Sequence, residues 1–450
     1  MRKALAQCNS CYARCCWWDP LHKPLLSHIS LANDALQAVY TLSSHRHESR
    51  QAFLETPVVA IVHTNDMSPH QFRQTFQRRN LPCLIRGMQD SFFRQIHLNW
   101  TQESSSTCSS YRSTSTPSPS RNIHLEWFRT HVGNDTLVPV RQPPTIGAGE
   151  VDEDGRAQEW CVVPIPLHEW LLDRSDPTKY LKDWHLLQLL DQQQQDDLYS
   201  VPPYFQHDLL NAFTDTVTGG DFKFVYWGPA GSNTPIHSDV LHSFSWSYNV
   251  LGEKKWTFYP KDDVPVVVYQ HAGEAMFVPS TWKHQVENVV ETLSVNHNWI
   301  TTANIDLMWN CLELDMVAVQ HEMHPWGLEG PMIQESMLQG CSGMNVTSFF
   351  FLCMTSLLKP WNQKYKSWDD YFDFFSLSSM LETLLTNKDV DLRARLVVGL
   401  ASEQKAEEAM ELATNILYQR DTFKEFLQES LSSLSSSSSS HLFLSLRLSL

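Results

Sequence analysis

Between residues 222 and 299 the chain alternates short aromatic and β-branched runs with glycine and proline breaks. Phe222 to Trp227 has the composition of a strand, and Gly228-Pro229-Ala230-Gly231-Ser232 that of a turn. Pro235 disfavours helical geometry in the residue before it, so Thr234 to His237 is expected to be extended. From Phe244 to Val250, Phe244, Trp246 and Tyr248 alternate with Ser245, Ser247 and Asn249, which predicts one apolar and one polar face. Leu251-Gly252-Glu253 then reads as the turn of a hairpin whose second strand begins at Lys254 and runs to Pro260. A turn at His271-Ala272-Gly273, a strand over Glu274–Val278 and another over Thr292–Trp299 follow. So many short strands at close intervals predict a sandwich or small barrel.

The flanks read differently. A strand-helix-strand pattern spans Pro57 to Gly87, with Ser68 as cap and Pro69 at the first helical position. Asp191 to Asp197 is a polar, exposed linker, and Phe349 to Met354 lies in a buried helix. Ile305, Met308, Trp309, Leu312 and Met316 form a helical stripe within 302–323, which His324-Pro325 ends. Further helices are expected over 368–386, 390–401 and 403–430. The expected division is a poorly structured 1–55, a flanking region 56–155 with a serine-rich disordered insert at 104–120, a strand-rich domain 156–310, a helical region 311–430 and a low-complexity tail 431–450.

Charge narrows the partners. A formal net charge of −16 argues against direct nucleic-acid binding and suits cationic protein or peptide substrates. The 10 cysteines are scattered in a chain too long to need disulfide staples, which favours reduced thiols in the cytoplasm or nucleus. Cys8 and Cys11, followed by Cys15 and Cys16, start like a zinc site but lack a second pair at finger spacing. The opening residues lack the apolar core of a secretory signal, and no apolar run approaches the ~20 residues of a membrane span.

Two histidines and one carboxylate on a strand frame suit a non-haem iron that must keep positions open for co-substrate and oxygen. His237 and Asp239, two apart on an extended chain, point to one side. That spacing is weak alone, because 20 His and 50 acidic residues among 450 give about two such matches by chance. The other match, His124-Leu125-Glu126, has no run of strands after it and reads as an ordinary surface or cap pair. His284, behind Pro279-Ser280-Thr281-Trp282-Lys283, is the further candidate.

In order, Gly-Pro-x-Gly-x-x-Thr-Pro-x-His-x-Asp (228–239), Phe-Ser-Trp-Ser-x-Asn-Val-x-Gly-x-Lys-Lys-Trp (244–256), Gly-Glu-x-x-Phe-Val-Pro-x-x-Trp-x-His-Gln-Val (273–286) and Ser-Val-Asn-His-Asn-Trp (294–299) resemble the Jumonji C (JmjC) oxygenases. The resemblance implies an α+β chain built on a double-stranded β-helix, the jelly-roll or cupin-like barrel. It implies His237, Asp239 and His284 as iron(II) ligands, with Thr234, Lys254, Ser247 and Asn298 around 2-oxoglutarate, and O2 as second co-substrate. It further implies a protein hydroxylase acting on lysyl carbons of a translation termination (release) factor, and C-terminal helices that serve a homodimer or substrate docking, with simple packing as the alternative. Two other functions share the pattern: a JmjC lysine demethylase and a non-catalytic cupin-like binding module. Asp183, Tyr226 and Trp184 are candidates for holding a lysyl cation. His297 faces away from Asn296 and Asn298 by alternation and is structural. The chain departs from the family in one place: a longer insert is usual between Lys254 and His284, and Lys261 to Gln270 would have to replace it.

Overall fold

A computed structural model describes residues 1–6, 59–103, 121–143, 161–260, 264–328, 330–358 and 368–435. The cysteine cluster at 8–16 and the serine-rich insert lie outside these residues. Strands β1 (Ala60–His63) and β2 (Cys83–Arg86) pair in parallel, and β3 (Thr101–Glu103) and β4 (Arg121–Ile123) form a small separate pair. Then come β5 (Leu137–Gln142), β6 (Cys161–Pro166), β7 (Tyr180–Trp184), β8 (Lys223–Gly228), β9 (Asn233–His237) and β10 (Phe244–Leu251). The last are β11 (Glu253–Tyr259), β12 (Val266–His271), β13 (Ala275–Val278), β14 (Lys283–Asn288) and β15 (Thr292–Trp299).

These strands build a nine-stranded sheet in the order β1-β2-β13-β10-β15-β8-β7-β5-β6 and a four-stranded sheet β12-β11-β14-β9. Leu84, Met276 and Val278 of the larger sheet pack with Trp256, Phe258 and Val286 of the smaller and with Trp282 just before β14, so the two sheets enclose a common core. The other face of the larger sheet carries Val225, Trp227, Trp246 and Val295 against the N-terminal Phe72, Phe93, Trp100 and Trp170. Alternation along β10 is as its sequence predicts: Phe244, Trp246 and Tyr248 enter this second core, leaving the serines to the interior between the sheets.

The expected hairpin at Gly252 is not one. β10 pairs with β13 and β15, whereas β11 pairs with β12 and β14, so the chain crosses from one sheet to the other at this turn. Gly252 sits at φ +91, and a Cβ there would lie 2.3 Å from the Glu291 carbonyl oxygen. Composition gives a tight turn in either case; the partners are decided by strands that come later in the chain. Gly252→Ala is expected to cost about 2 kcal/mol, through strain and overpacking, read as a lower urea midpoint at unchanged slope. The short stretch between Lys254 and His284 contributes β12, which pairs along β11 from Glu253↔His271 to Phe258↔Val266.

The N-terminal cap is as read: Ser68 and Gln71 form a capping box ahead of Pro69–Phe72, which continues into a π-turn over Arg73–Gln77. The polar stretch at 191 caps itself with Asp191 and Gln194 and becomes the exposed short helix Gln192–Asp196. Beyond the strands lie α1 (Ile305–Met323), α2 (Pro331–Ser342), α3 (Val346–Leu357), α4 (Trp368–Thr386), α5 (Leu392–Leu400) and α6 (Glu403–Ser435). Their core includes Trp309, Phe349, Leu381, Leu396 and Ala413, and Ala4 and Leu5 of the first residues are buried in it. Buried Arg395 joins α5 to α2 by donating to Glu335 at 2.9 Å. Among the described residues no helix is long and apolar enough to cross a membrane.

Candidate active site

His237 ends β9, and Asp239 follows in extended geometry as the cap of a short 3-10 turn. β14 brings His284 opposite His237. One ligand atom from each of His237, Asp239 and His284 falls within 4.8 Å of the others, and among the described residues this is the one such cluster. The two imidazole centroids are 4.3 Å apart.

The histidines are set as metal ligands need. Nδ1 of His237 lies 2.9 Å from the Pro235 carbonyl oxygen, and Nδ1 of His284 lies 2.9 Å from that of Trp282. Each Nδ1 therefore carries the proton and donates it, which leaves the Nε2 lone pair for an ion. Burial, followed by the neighbouring His284 ring, lowers the proton affinity of His237, and Asp239 opposes this. The Ser245 hydroxyl donates to Oδ2 of Asp239 at 2.7 Å and orients the carboxylate. Two imidazoles and one carboxylate are the donor set of a facial triad, which would hold a non-haem iron(II) and leave positions for co-substrates.

Lys254 lies across the same pocket. It is fully buried, and its Nζ donates to Ser294 Oγ at 2.6 Å and to Ser247 Oγ at 3.0 Å. Tyr226 and Trp256 place ring centroids 5.8 Å from it. Among the described residues no carboxylate pairs with it, and burial pulls its pKa from 10.5 to about 7. An interior cation held only by hydroxyls and rings is expensive unless an anion joins it. The carboxylate of a small dicarboxylic acid fits that requirement, as the triad fits the metal.

Thr234, Ser247 and Asn298 line this pocket together with His237, Asp239, Lys254 and His284, so the structure brings the residues selected for the metal and for 2-oxoglutarate to one place. Asn298 is held by donating to Ser243 Oγ at 2.9 Å. His297 turns the other way and pairs with the Tyr199 hydroxyl at 2.7 Å. His124 occupies the N-cap position of Leu125–His131 without a side-chain capping bond and is not among the residues lining the pocket. Trp184 is buried in the second core and does not reach the site. Sequence reasoning missed Ser294, Asn296 and Tyr180. Alternation with the selected Asn298 could have found the first two on β15, and Tyr180 carries no local signal.

No protein-family model matches the chain. It is similar to the 2-oxoglutarate and iron-dependent oxygenase JMJD4 of Gallus gallus, 38% identical over 38% of this chain and 48% of that protein. A JMJD4 homolog of Drosophila melanogaster is 28% identical over 71% of this chain and 78% of its own. The bifunctional arginine demethylase and lysyl-hydroxylase psr-1 of Caenorhabditis elegans is 23% identical over 54% of this chain and 62% of its own. The chain spans about half the length of the vertebrate relatives it matches. With the donor cluster and the buried lysine in place on paired sheets, these likenesses support a JMJD4-type Jumonji C (JmjC) protein.

Proposed function

We propose that the protein is an iron(II)- and 2-oxoglutarate-dependent oxygenase that hydroxylates protein side chains, with the two sheets forming a double-stranded β-helix around its site. The observation that carries this reading is the His237, Asp239 and His284 cluster facing a buried Lys254 that has hydroxyl partners and, among the described residues, no carboxylate. His237, Asp239 and His284 hold the metal. Lys254, with Ser247 beside it and Thr234 and Asn298 lining the walls, holds 2-oxoglutarate through its far carboxylate. When bound, the metal and 2-oxoglutarate with O2 supply an oxidation that places one oxygen atom in a substrate C–H bond and the other in succinate, with release of carbon dioxide. The protein's own share is placement and exclusion of water. The carbonyls of Pro235 and Trp282 fix the imidazoles, Ser245 fixes Asp239, and Trp256 and Val286 wall the pocket.

The substrate we propose is a lysyl side chain of a translation release factor, which places the action in the cytoplasm. Arginine N-demethylation is the second reading, favoured by a relative whose name joins both activities. Mass spectrometry of a release-factor protein incubated with the enzyme, iron(II), ascorbate and 2-oxoglutarate decides between them. Gain of one oxygen atom on a lysine is expected. Loss of a methylene from a methylated arginine, without that gain, would replace the hydroxylase reading by the demethylase one.

A further inference from the structure

β7 does not keep register with β8. Leu181 opposes Trp227 but Trp184 opposes Val225, so β7 spends one extra residue over this stretch. The bulge falls on Lys182 and Asp183, and Asp183 takes φ 56, a left-handed conformation that aspartate tolerates better than most residues. Its consequence is directional. In a regular strand Trp184 would share a face with Lys182, but here Trp184 turns into the core while Lys182 and Asp183 stay beside Tyr226.

Tyr226 lines the metal pocket, and its hydroxyl donates to Asp183 Oδ1 at 2.6 Å. The Asp183 side chain is 50% exposed, and its other oxygen lies 3.9 Å from Lys182 Nζ. A carboxylate is thus held one tyrosine away from the triad, open to solvent, with a long and replaceable ion pair. Burial and then the Asp183 charge hold Tyr226 protonated, so it stays a donor.

We propose that Asp183, held by the pocket-lining Tyr226, anchors the cationic end of the lysyl or arginyl side chain that the enzyme oxidises. The proposal rests on the oxygenase reading above. Lys182 occupies the carboxylate until a substrate cation displaces it, and the aromatic face of Tyr226 adds a cation-binding wall. A nitrogen held in this way donates N–H bonds to the carboxylate. Each methyl group on it removes one donor, so the anchor favours an unmethylated cation and oxidation at carbon.

The test uses the full chain with manganese(II) in place of iron and with 2-oxoglutarate, and fluorescent peptide pools identical except for a central lysine, trimethyllysine, norleucine or glutamate. The lysine pool is expected to bind at least about tenfold more tightly than the norleucine pool, as one charge-assisted hydrogen bond allows. In Asp183→Asn that preference should fall to about twofold or less. In Lys182→Met, where the competing cation is gone, it should grow. Equal binding of the lysine and norleucine pools by the unaltered protein would overturn the proposal. So would an Asp183→Asn protein that binds every pool more weakly but keeps the preference, since that is what a structural role predicts. Manganese and 2-oxoglutarate binding are read separately by electron paramagnetic resonance. Their failure would count against the metal site, while the pool comparison would still decide the role of Asp183.

Discussion

Asp239→Ala is expected to lower iron(II) affinity by at least about a hundredfold and to remove succinate formation, because losing even a supporting partner of a metal ligand costs about 10- to 100-fold. Asp239 is the carboxylate of the donor cluster, and without it an ion would meet only the two imidazoles. Its protein contact is a hydrogen bond from Ser245, so the metal-free variant should stay folded, within about 1 kcal/mol of the unaltered protein. Isothermal titration with iron(II) under anaerobic conditions, beside urea unfolding, separates the two effects. Tight iron binding by a folded Asp239→Ala protein would show that the carboxylate is not a ligand.

Lys254→Met should move affinity and stability in opposite directions. Removing the cation from the far carboxylate of 2-oxoglutarate is expected to raise its half-saturating concentration by on the order of a hundredfold, equivalent to about 3 kcal/mol. The ligand-free protein should become more stable by about 1–3 kcal/mol, since a buried charge without a counter-ion is replaced by an apolar side chain.

The pH dependence follows from the lowered pKa of Lys254. Below about pH 7 the lysine is charged in both folded and unfolded chains, and its full cost is present. As pH rises from about 7 towards 10.5, the folded protein sheds a proton that the unfolded chain keeps, so this residue's contribution to stability improves. The advantage of Lys254→Met should therefore shrink over that window, and bound 2-oxoglutarate, which holds the proton on the lysine, should flatten the slope. Urea midpoints of both proteins at the two ends of the window test this. An advantage that grows with pH would mean that Lys254 is not a buried, uncompensated cation.

Much of the site was legible because its chemistry is local. His237 and Asp239 sit two apart on a chain that Pro235 keeps extended, and the serines of β10 alternate with aromatics that belong to the core. His284 was reached through the family resemblance, since 284 − 237 = 47 residues separate it from its partner and only pairing of β14 with β9 brings them together. Sheet membership was not legible. The Gly252 turn looks like a hairpin, and it crosses between sheets because β13, β14 and β15, all later in the chain, supply the pairing partners. Trp184 was named by composition alone, and the fold buries it in the second core just past the bulge at Lys182 and Asp183. Ser294 looked like an ordinary strand serine until the fold put its hydroxyl on Lys254. Helix α2 was not read at all; it buries Leu338 but its stripe is interrupted by the buried polar Gln334 and Glu335, whose partner Arg395 lies on α5.

The most direct test of the oxygenase assignment is succinate release from 2-oxoglutarate by purified protein, with and without iron(II), beside the Asp239→Ala and Lys254→Met variants. Succinate that requires iron(II), disappears in Asp239→Ala, and returns in Lys254→Met only at much higher 2-oxoglutarate is the predicted result. Folded, iron-loaded protein that forms no succinate with any substrate protein offered, or succinate formation that survives in Asp239→Ala, would contradict it.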